Sequence, residues 1–545
     1  MASSKVAGLP KGLAAMEDAK TKGSRWGLVQ FFFVLSVVLC VLLYAPRAFV
    51  LGPRGVGVGF FTANNSSSSS FSSKGTPPSP PLLRQRVVGG GSSAEEEDDD
   101  GRRFVLDNEV HSPCSSMLDH TICCDRSSFH TDVCFMSGDV RTDAASLSLL
   151  LFPPAAGQQQ TNGSSSTATE EERVRPYPRK WERYIMEKIP EVKLRVAQAP
   201  EEASERRRCD VRHDAPLLVM SAGGYTGNLF HAFNDGLLPA WVTSQHLRRR
   251  VVLGVLSYNP WWAGTFAEII SGLSDHHVVD LLHDKHTHCF PGAIVGTRFH
   301  GILLVDPARL RDNKTIADFN HLLAEAYDDD KKKPTTKAAA EGTRPAPETT
   351  TTHEPPRRPR LGIVSRKGTR VIENQAAVAA LATSVGFDVE VLETANGLPL
   401  SAWYASVSSY DALVGVHGAD LTKFLFLRPG RASLTQIAPL GVSPIAMECF
   451  GVPAARMGIL YEQYEVAGRE SSLARRYAPD DEVVADPEKA KRSKGWGFVA
   501  RVYLGGQNVT LDLGRFRDTL TRMHAHAMLQ RRRQQEEEIT RPHRR

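Results

Sequence analysis

The stretch PLLVMSAGGYTGNLFHAFNDGLLPAWVTSQHL, residues 216–247, constrains the architecture most. Behind Pro216 the apolar run 217–220 predicts a short buried strand. Residues 221–224 break the run with two glycines. From Asn228 onward Leu229, Phe230, Phe233, Leu237, Trp241 and Leu247 recur at roughly helical spacing. A strand, a glycine turn and a helix in succession form the building block of an α/β sheet. Such a turn, at Gly223 and Gly224, lets a ligand approach N–H groups at a helix N-terminus. The helix sets His231 and Asp235 four residues apart on one face, two groups able to move a proton. A packed helix histidine beside a locally paired aspartate fits the same spacing.

The same rhythm continues. Residues 251–256, 278–282, 289–296 and 301–306 predict strand pieces, with helices at 265–273 and 306–327. Residues 328–359 are charged, Thr-rich and Pro-rich, which predicts a disordered linker. Strands at 360–365, 388–393, 412–417 and 433–439 then alternate with helices at 374–385, 400–408 and beyond a glycine turn at 418. A last helix is expected over 512–529, followed by a charged tail at 531–545. Two α/β lobes, 104–327 and 360–530, suggest a nucleotide-type ligand held between them.

Ahead of the lobes, residues 26–45 carry no charge and are long enough, as a helix, to span a bilayer core. Lys5, Lys11, Lys20, Lys22 and Arg25 precede them in the tail 1–25, whereas only Arg47 and Arg54 follow closely. That asymmetry predicts a signal anchor with a cytosolic N-terminus and a lumenal head, and the long basic flank argues against a cleaved signal peptide. Residues 46–103 are rich in Ser, Gly and Pro and predict a disordered stem. Beyond Cys40, seven cysteines would lie in an oxidising lumen: Cys114, Cys123, Cys124, Cys134, Cys209, Cys289 and Cys449. The odd number leaves one thiol free or linking chains, and the spacing leaves pairing open. The 114–134 cluster lacks well-placed histidines for zinc, so no metal ligands are expected. Glycosylation sequons begin at Asn64, Asn65, Asn162, Asn313 and Asn508. The net charge of +5 is mild and no basic–aromatic stripe appears, which excludes a nucleic-acid partner.

Two further motifs suit an anion. In VSRKGTRVIEN (364–374) a strand ends in a turn bearing Arg366, Lys367 and Arg370, a fork for charge-assisted bonds to a diphosphate, or else an ordinary basic loop. In GVHGADLTKFLFLRPG (415–430) a strand ends at His417. Gly418, the following N–H groups and the Thr422 hydroxyl can receive phosphate oxygens, while Asp420 opposes that use unless it points away or caps the helix. Neither a Walker loop nor a full GxGxxG is present, which disfavours a dinucleotide oxidoreductase.

In this order, CDRSSFHTDVCFMSGDVR (124–141), RPYPRKWERYIM (175–186), GGYTGNLFHAFNDGLLPAWVTS (223–244), HCFPGAIVGTRFH (288–300), SRKGTRVIEN (365–374), VHGADLTKFLFLRPG (416–430) and MGILYEQYEVAGRESSL (457–473) resemble glycosyltransferase family 61, a plant Golgi group that decorates xylan. The resemblance implies two Rossmann-like lobes of the GT-B type. It implies inverting transfer of arabinofuranose or xylose from a UDP-sugar to xylan or its side chains, with no obligatory cofactor. Carried over, His231 and Asp235 are catalytic, and Gly223, Gly224 and Asn228 line the acceptor side. Arg366, Arg370, His417, Gly418, Thr422, Tyr461 and Glu462 line the donor side. Many relatives carry a small residue where Asp420 stands and an apolar one where Glu373 stands. Those departures admit an alternative: a weak or inactive member acting as a lumenal scaffold subunit of a xylan synthesis complex, as a homo- or hetero-oligomer at the Golgi membrane.

Overall fold

The computed structural model of the chain describes residues 104–153, 171–198, 208–328, 357–393 and 397–540. The uncharged run at 26–45, the stem, most of the linker and the sequons at Asn64, Asn65 and Asn162 lie outside the described residues. Among the described residues no helix is long and apolar enough to cross a membrane.

The chain is a mixed α/β protein with two sheets. The first comprises β1 (Ile122–Asp125), β2 (Val133–Asp143), β3 (Ser148–Leu151), β4 (Glu172–Val174), β5 (Val192–Val196), β6 (Val211–Arg212), β7 (Leu217–Ser221), β8 (Val252–Leu256), β9 (Val279–Asp280) and β10 (His288–Val295). Its order is β4-β5-β3-β2-β10-β7-β8-β9, with β1 on β2 and β6 on β10. Strands β10, β7, β8 and β9 are parallel. Strand β2 runs antiparallel to β10, β1 and β3, so this half is not purely the βα alternation the sequence predicts. The reason lies in VCFM at 133–136, an apolar run buried on both faces that crosses the middle of the sheet. The GDVR stretch, which reads as a turn, is part of β2. The register slips there between Phe290↔Val140 and Gly292↔Ser137, and Gly138 takes φ +118°, the geometry of a bulge.

Two other expectations change. Residues 301–306 are a turn rather than a strand. Leu303 is buried in the core with φ +47°, and its N–H donates to Asn234 Oδ1 at 2.8 Å, so burial comes from plugging a gap and not from pairing. The helix expected from 306 starts only at Ile316 and runs to Tyr327, because Pro307 and the polar turn after it interrupt the chain. Asp318 then closes the first turn by accepting from Thr315 N at 2.8 Å.

The second sheet comprises β11 (Arg360–Ser365), β12 (Asp388–Glu393), β13 (Ala412–Val416), β14 (Ser433–Ala438) and β15 (Leu460–Glu465). All its pairs are parallel, in the order β12-β11-β13-β14-β15. Strand order reverses between β11 and β13, the place where open α/β sheets of this kind bind ligands beyond the C-terminal strand ends. Helices Gln375–Val385 and Leu513–Thr540 cover one face. The second runs well past 529, since RRRQQEEE offers good helix formers with opposite charges at helical spacing and no breaker before Pro542.

The other face shares one apolar core with the first sheet. Leu413, Leu421, Phe424 and Leu434 pack in the same cluster as Leu218, Phe233, Trp241 and Leu253. Helix Ile316–Tyr327 straddles the two halves, and Asn320 Nδ2 donates to the carbonyls of Leu425 and Leu427 at 2.5 and 3.1 Å. Disulfides join Cys114 to Cys123, Cys124 to Cys134 and Cys209 to Cys289, leaving Cys449 as the free thiol among the described residues.

Candidate active site

Strand β7 ends at Ser221 and the chain turns through the glycines into Asn228, whose Oδ1 caps the next helix by accepting from Phe230 N at 2.9 Å. That helix is not uniform. Residues Ala232–Leu237 form a wide π-turn, ahead of Pro239, which cannot donate to the ladder. The glycines serve the fold first. Gly224 takes φ +63°, and a Cβ there would lie 2.6 Å from Tyr177 Cζ; at Gly223 it would lie 3.0 Å from Ser257 Oγ. Their open side is filled from within the protein, and Tyr225 N donates to Tyr177 Oη at 2.9 Å.

His231 and Asp235 do meet: Nδ1 lies 2.8 Å from Oδ2. Asp235 is 2 % exposed and receives four more donors: Tyr177 Oη at 2.8 Å, Arg179 Nε at 3.0 Å, Arg179 Nη2 at 3.1 Å and Asn234 Nδ2 at 2.6 Å. Burial works against its charge, but the His231 bond and the Arg179 guanidinium outweigh that and hold the carboxyl below the usual range. A carboxylate so occupied has little room to accept another proton. The His231 side chain is 24 % exposed, so the ring is partly open to solvent.

Arg179 is the residue that periodicity could not reveal. It belongs to the 175–186 motif but sits in a turn, and it reaches Asp235, Glu182 and the His231 ring at once. Beside it stand two exposed aromatics: Phe129 and Trp181 stack with centroids 5.6 Å apart and planes 13° apart. The Arg179 guanidinium carbon is 5.5 Å from the Trp181 ring, and Tyr225 stacks obliquely on His231 at 4.8 Å. An open aromatic ledge therefore leads to the imidazole. Lone aromatics in irregular sequence give no periodic signal.

The second group gathers where β11 and β13 end. Arg370 Nη1 donates to the His417 carbonyl at 2.9 Å, and Arg366 Nη1 to Asp420 Oδ2 at 2.9 Å. A Cβ on Gly418, whose φ is +153°, would fall 2.7 Å from Arg366 Nη1 and 3.1 Å from Arg370 Nη1, so glycine keeps room for both guanidiniums. Burial and the neighbouring Arg366 charge push Arg370 down to about 10, and its Nε has no protein partner. Two guanidiniums crowded together, with the Asp420 carboxylate paired to Arg366 alone of the two, leave an excess of positive charge suited to an anion. His417 is buried, and burial together with Arg370 and Arg366 pushes it down to about 3. It is neutral, and Gln436 Nε2 lies 2.8 Å from its Nδ1. Gln436 Oε1 in turn accepts from Tyr461 Oη at 2.8 Å.

Four residues stand differently from the rest. Glu462 follows Tyr461 on β15 and so faces the opposite side, where it pairs with Arg522 of the last helix at 2.9 Å. Thr422 is 1 % exposed, its hydroxyl buried beneath the turn without a protein partner. Asp420 bridges Arg366 and Lys423, the latter at 3.3 Å and itself 3.9 Å from the centroid of the Trp403 ring. Glu373 turns away to Arg475 and Thr510. Of the described sequons, Asn313 is exposed in a turn, whereas Asn508 is half-buried and accepts from Val371 N at 3.1 Å.

The two groups are neighbours. Phe450 lies between them, 5.6 Å from Phe230 and 5.5 Å from His417 by ring centroids, and the same helix brings Cys449 into the fields of Glu448 and Arg179. Burial pushes the Cys449 thiol up to about 12, so it stays protonated.

Comparison with known proteins gives the class. Residues 229–434 match the family described as Glycosyltransferase 61, and that span holds the imidazole, both arginines and the Gly418 turn: this is a glycosyltransferase. A xylan glycosyltransferase of Arabidopsis thaliana is 38 % identical over 422 residues, 77 % of this chain and 83 % of the relative. A beta-1,2-xylosyltransferase of Oryza sativa subsp. japonica is 34 % identical over 404 residues, 73 % of this chain and 82 % of the relative. An alpha-1,3-arabinosyltransferase of the same rice is 33 % identical over 400 residues, 73 % of this chain and 64 % of the relative. The chain belongs to glycosyltransferase family 61.

Proposed function

We propose that the chain transfers a pentose, arabinofuranose or xylose, from a UDP-sugar to xylan or its side chains, with inversion at the anomeric carbon. The two halves then act as the lobes of a GT-B enzyme, the first taking the acceptor and the second the donor. The relatives' names support the pentose and the xylan. One observation carries the mechanism: the partly open His231 ring and the crowded Arg366–Arg370 pair flank the same aromatic bridge at Phe450.

His231 is the base. Its Nδ1–H is held by Asp235, and Nε2 is left to take the proton of the acceptor hydroxyl as that oxygen attacks the anomeric carbon. Asp235 orients the ring and stabilises the imidazolium that forms. The bond to the UDP oxygen breaks in the same step, and Arg366, Arg370 and the neutral His417 stabilise the departing diphosphate. The Phe129–Trp181 ledge supports the apolar faces of the xylan sugars. The run at 26–45 anchors the chain in the Golgi membrane with the head in the lumen.

The full chain, offered xylo-oligosaccharides with UDP-arabinofuranose or UDP-xylose, with and without chelator, is expected to yield products heavier by one pentose on mass analysis. No product from either donor on any xylan acceptor would falsify the proposal. Trp181→Ala is expected to raise the acceptor KM roughly tenfold with kcat little changed, the pattern of lost ground-state binding.

A further inference from the structure

A second constellation lies at the opposite end of the first sheet. We propose that Asp284, His286 and His288 form a binding site for a divalent transition-metal ion, zinc being the ion that the donor set suits. One ligand atom from each residue lies within 4.8 Å of the other two. Asp284 Oδ1 is 2.8 Å from His286 Nδ1, and Asp284 Oδ2 is 3.1 Å from His288 Nε2. Ligands about 2.0–2.2 Å from a tetrahedral zinc stand roughly 3.4 Å from one another, so small shifts admit the ion.

The surroundings fix the donors. His288 begins β10 and its N–H is held by Thr142 Oγ1 at 2.9 Å, while its Nδ1 meets His213 Nε2 at 3.0 Å. With the proton of His288 on Nδ1, donated to His213, Nε2 is the atom presented to a metal. The Cys209–Cys289 disulfide pins the next residue. A small cavity walled by Leu147, Leu149, Val192 and Leu281 is lined by the three ligands as well. Imidazole and carboxylate together favour a first-row ion such as zinc over calcium or magnesium. The D-x-H-x-H spacing of HDKHTHC places the three donors on alternate residues of one short stretch.

The site does not serve transfer. The eight residues of β10, about 26 Å of strand, separate it from the strand ends that carry the catalytic groups. Its role is to fasten the 281–287 turn to β10. The proposal is independent of the sugar and the acceptor.

The tag-free full chain, stripped with chelator and dialysed, is titrated with zinc chloride by calorimetry while its melting temperature is followed. One ion per chain is expected, with an upward shift in melting temperature. At a free zinc concentration 100 times Kd the folded fraction gains about 100-fold over the unfolded. His286→Gln alters an exposed side chain and so keeps the fold. It is expected to weaken zinc at least roughly 100-fold and to abolish the shift. His283→Gln, one residue outside the set, should change neither. In wild type, cobalt chloride should give the intense visible absorption of a four-coordinate ion, and His286→Gln should remove it. Absence of zinc binding by the wild-type chain, equal binding by His286→Gln, or loss only in His283→Gln overturns the assignment.

Discussion

At the scale of single residues, the spacing of His231 and Asp235 was legible, but their division of labour was not. Five donors converge on the Asp235 carboxylate, and three of them come from Tyr177 and Arg179, more than fifty residues away in sequence. Deleting either partner should therefore have unlike effects. His231→Ala is expected to lower kcat by about 10²–10⁴-fold while leaving UDP affinity unchanged, checked by kinetics beside calorimetry. Asp235→Ala leaves the buried Tyr177 hydroxyl and Asn234 amide without their acceptor and Arg179 with Glu182 alone, and should cost about 1–3 kcal/mol of stability in denaturant titrations. On the donor side, Arg366→Ala should weaken UDP, and Asp420→Ala should tighten it. Asp420 accepts from Arg366, the group proposed to meet the diphosphate, and removing one partly screened opposing charge is worth roughly 1 kcal/mol, or about fivefold in Kd by calorimetry.

At the scale of elements, the parallel half of the design was readable because period and punctuation agree there. Strands β11 to β14 start and stop within a residue or two of their apolar runs. The N-terminal third was not readable, because VCFMSGDVRTD contains a glycine bulge that looks like a turn, and because short strands such as β4 and β6 owe their existence to partners far away in the chain. The β13–turn–β14 unit makes a pH prediction. His417 is buried neutral, its folded value near 3 against an ordinary 6.5. Between those values the unfolded chain binds the proton and the folded one does not. Stability therefore falls as pH drops below 6.5, by about 1.4 kcal/mol per unit from this group. His417→Gln should remove that slope from the pH dependence of the melting temperature.

At the scale of the whole molecule, the Pro-rich insertion makes the sequence look like two separate bodies, yet the apolar face of the second sheet is buried against helices of the first half. Nothing in local composition announces that, since a helix face that covers a foreign sheet has the same pattern as one that covers its own. The melting curve followed by calorimetry should accordingly show a single cooperative transition across residues 104–540. Phe450→Ala, in the middle of the shared core, should lower it by about 3–5 kcal/mol. Swinging the halves apart like a jaw would wet Phe230, Phe424 and Phe450 together. An enzyme stitched shut along such a seam has to take in and let go of its substrates by moving loops and side chains, with its catalytic span already set before either sugar arrives.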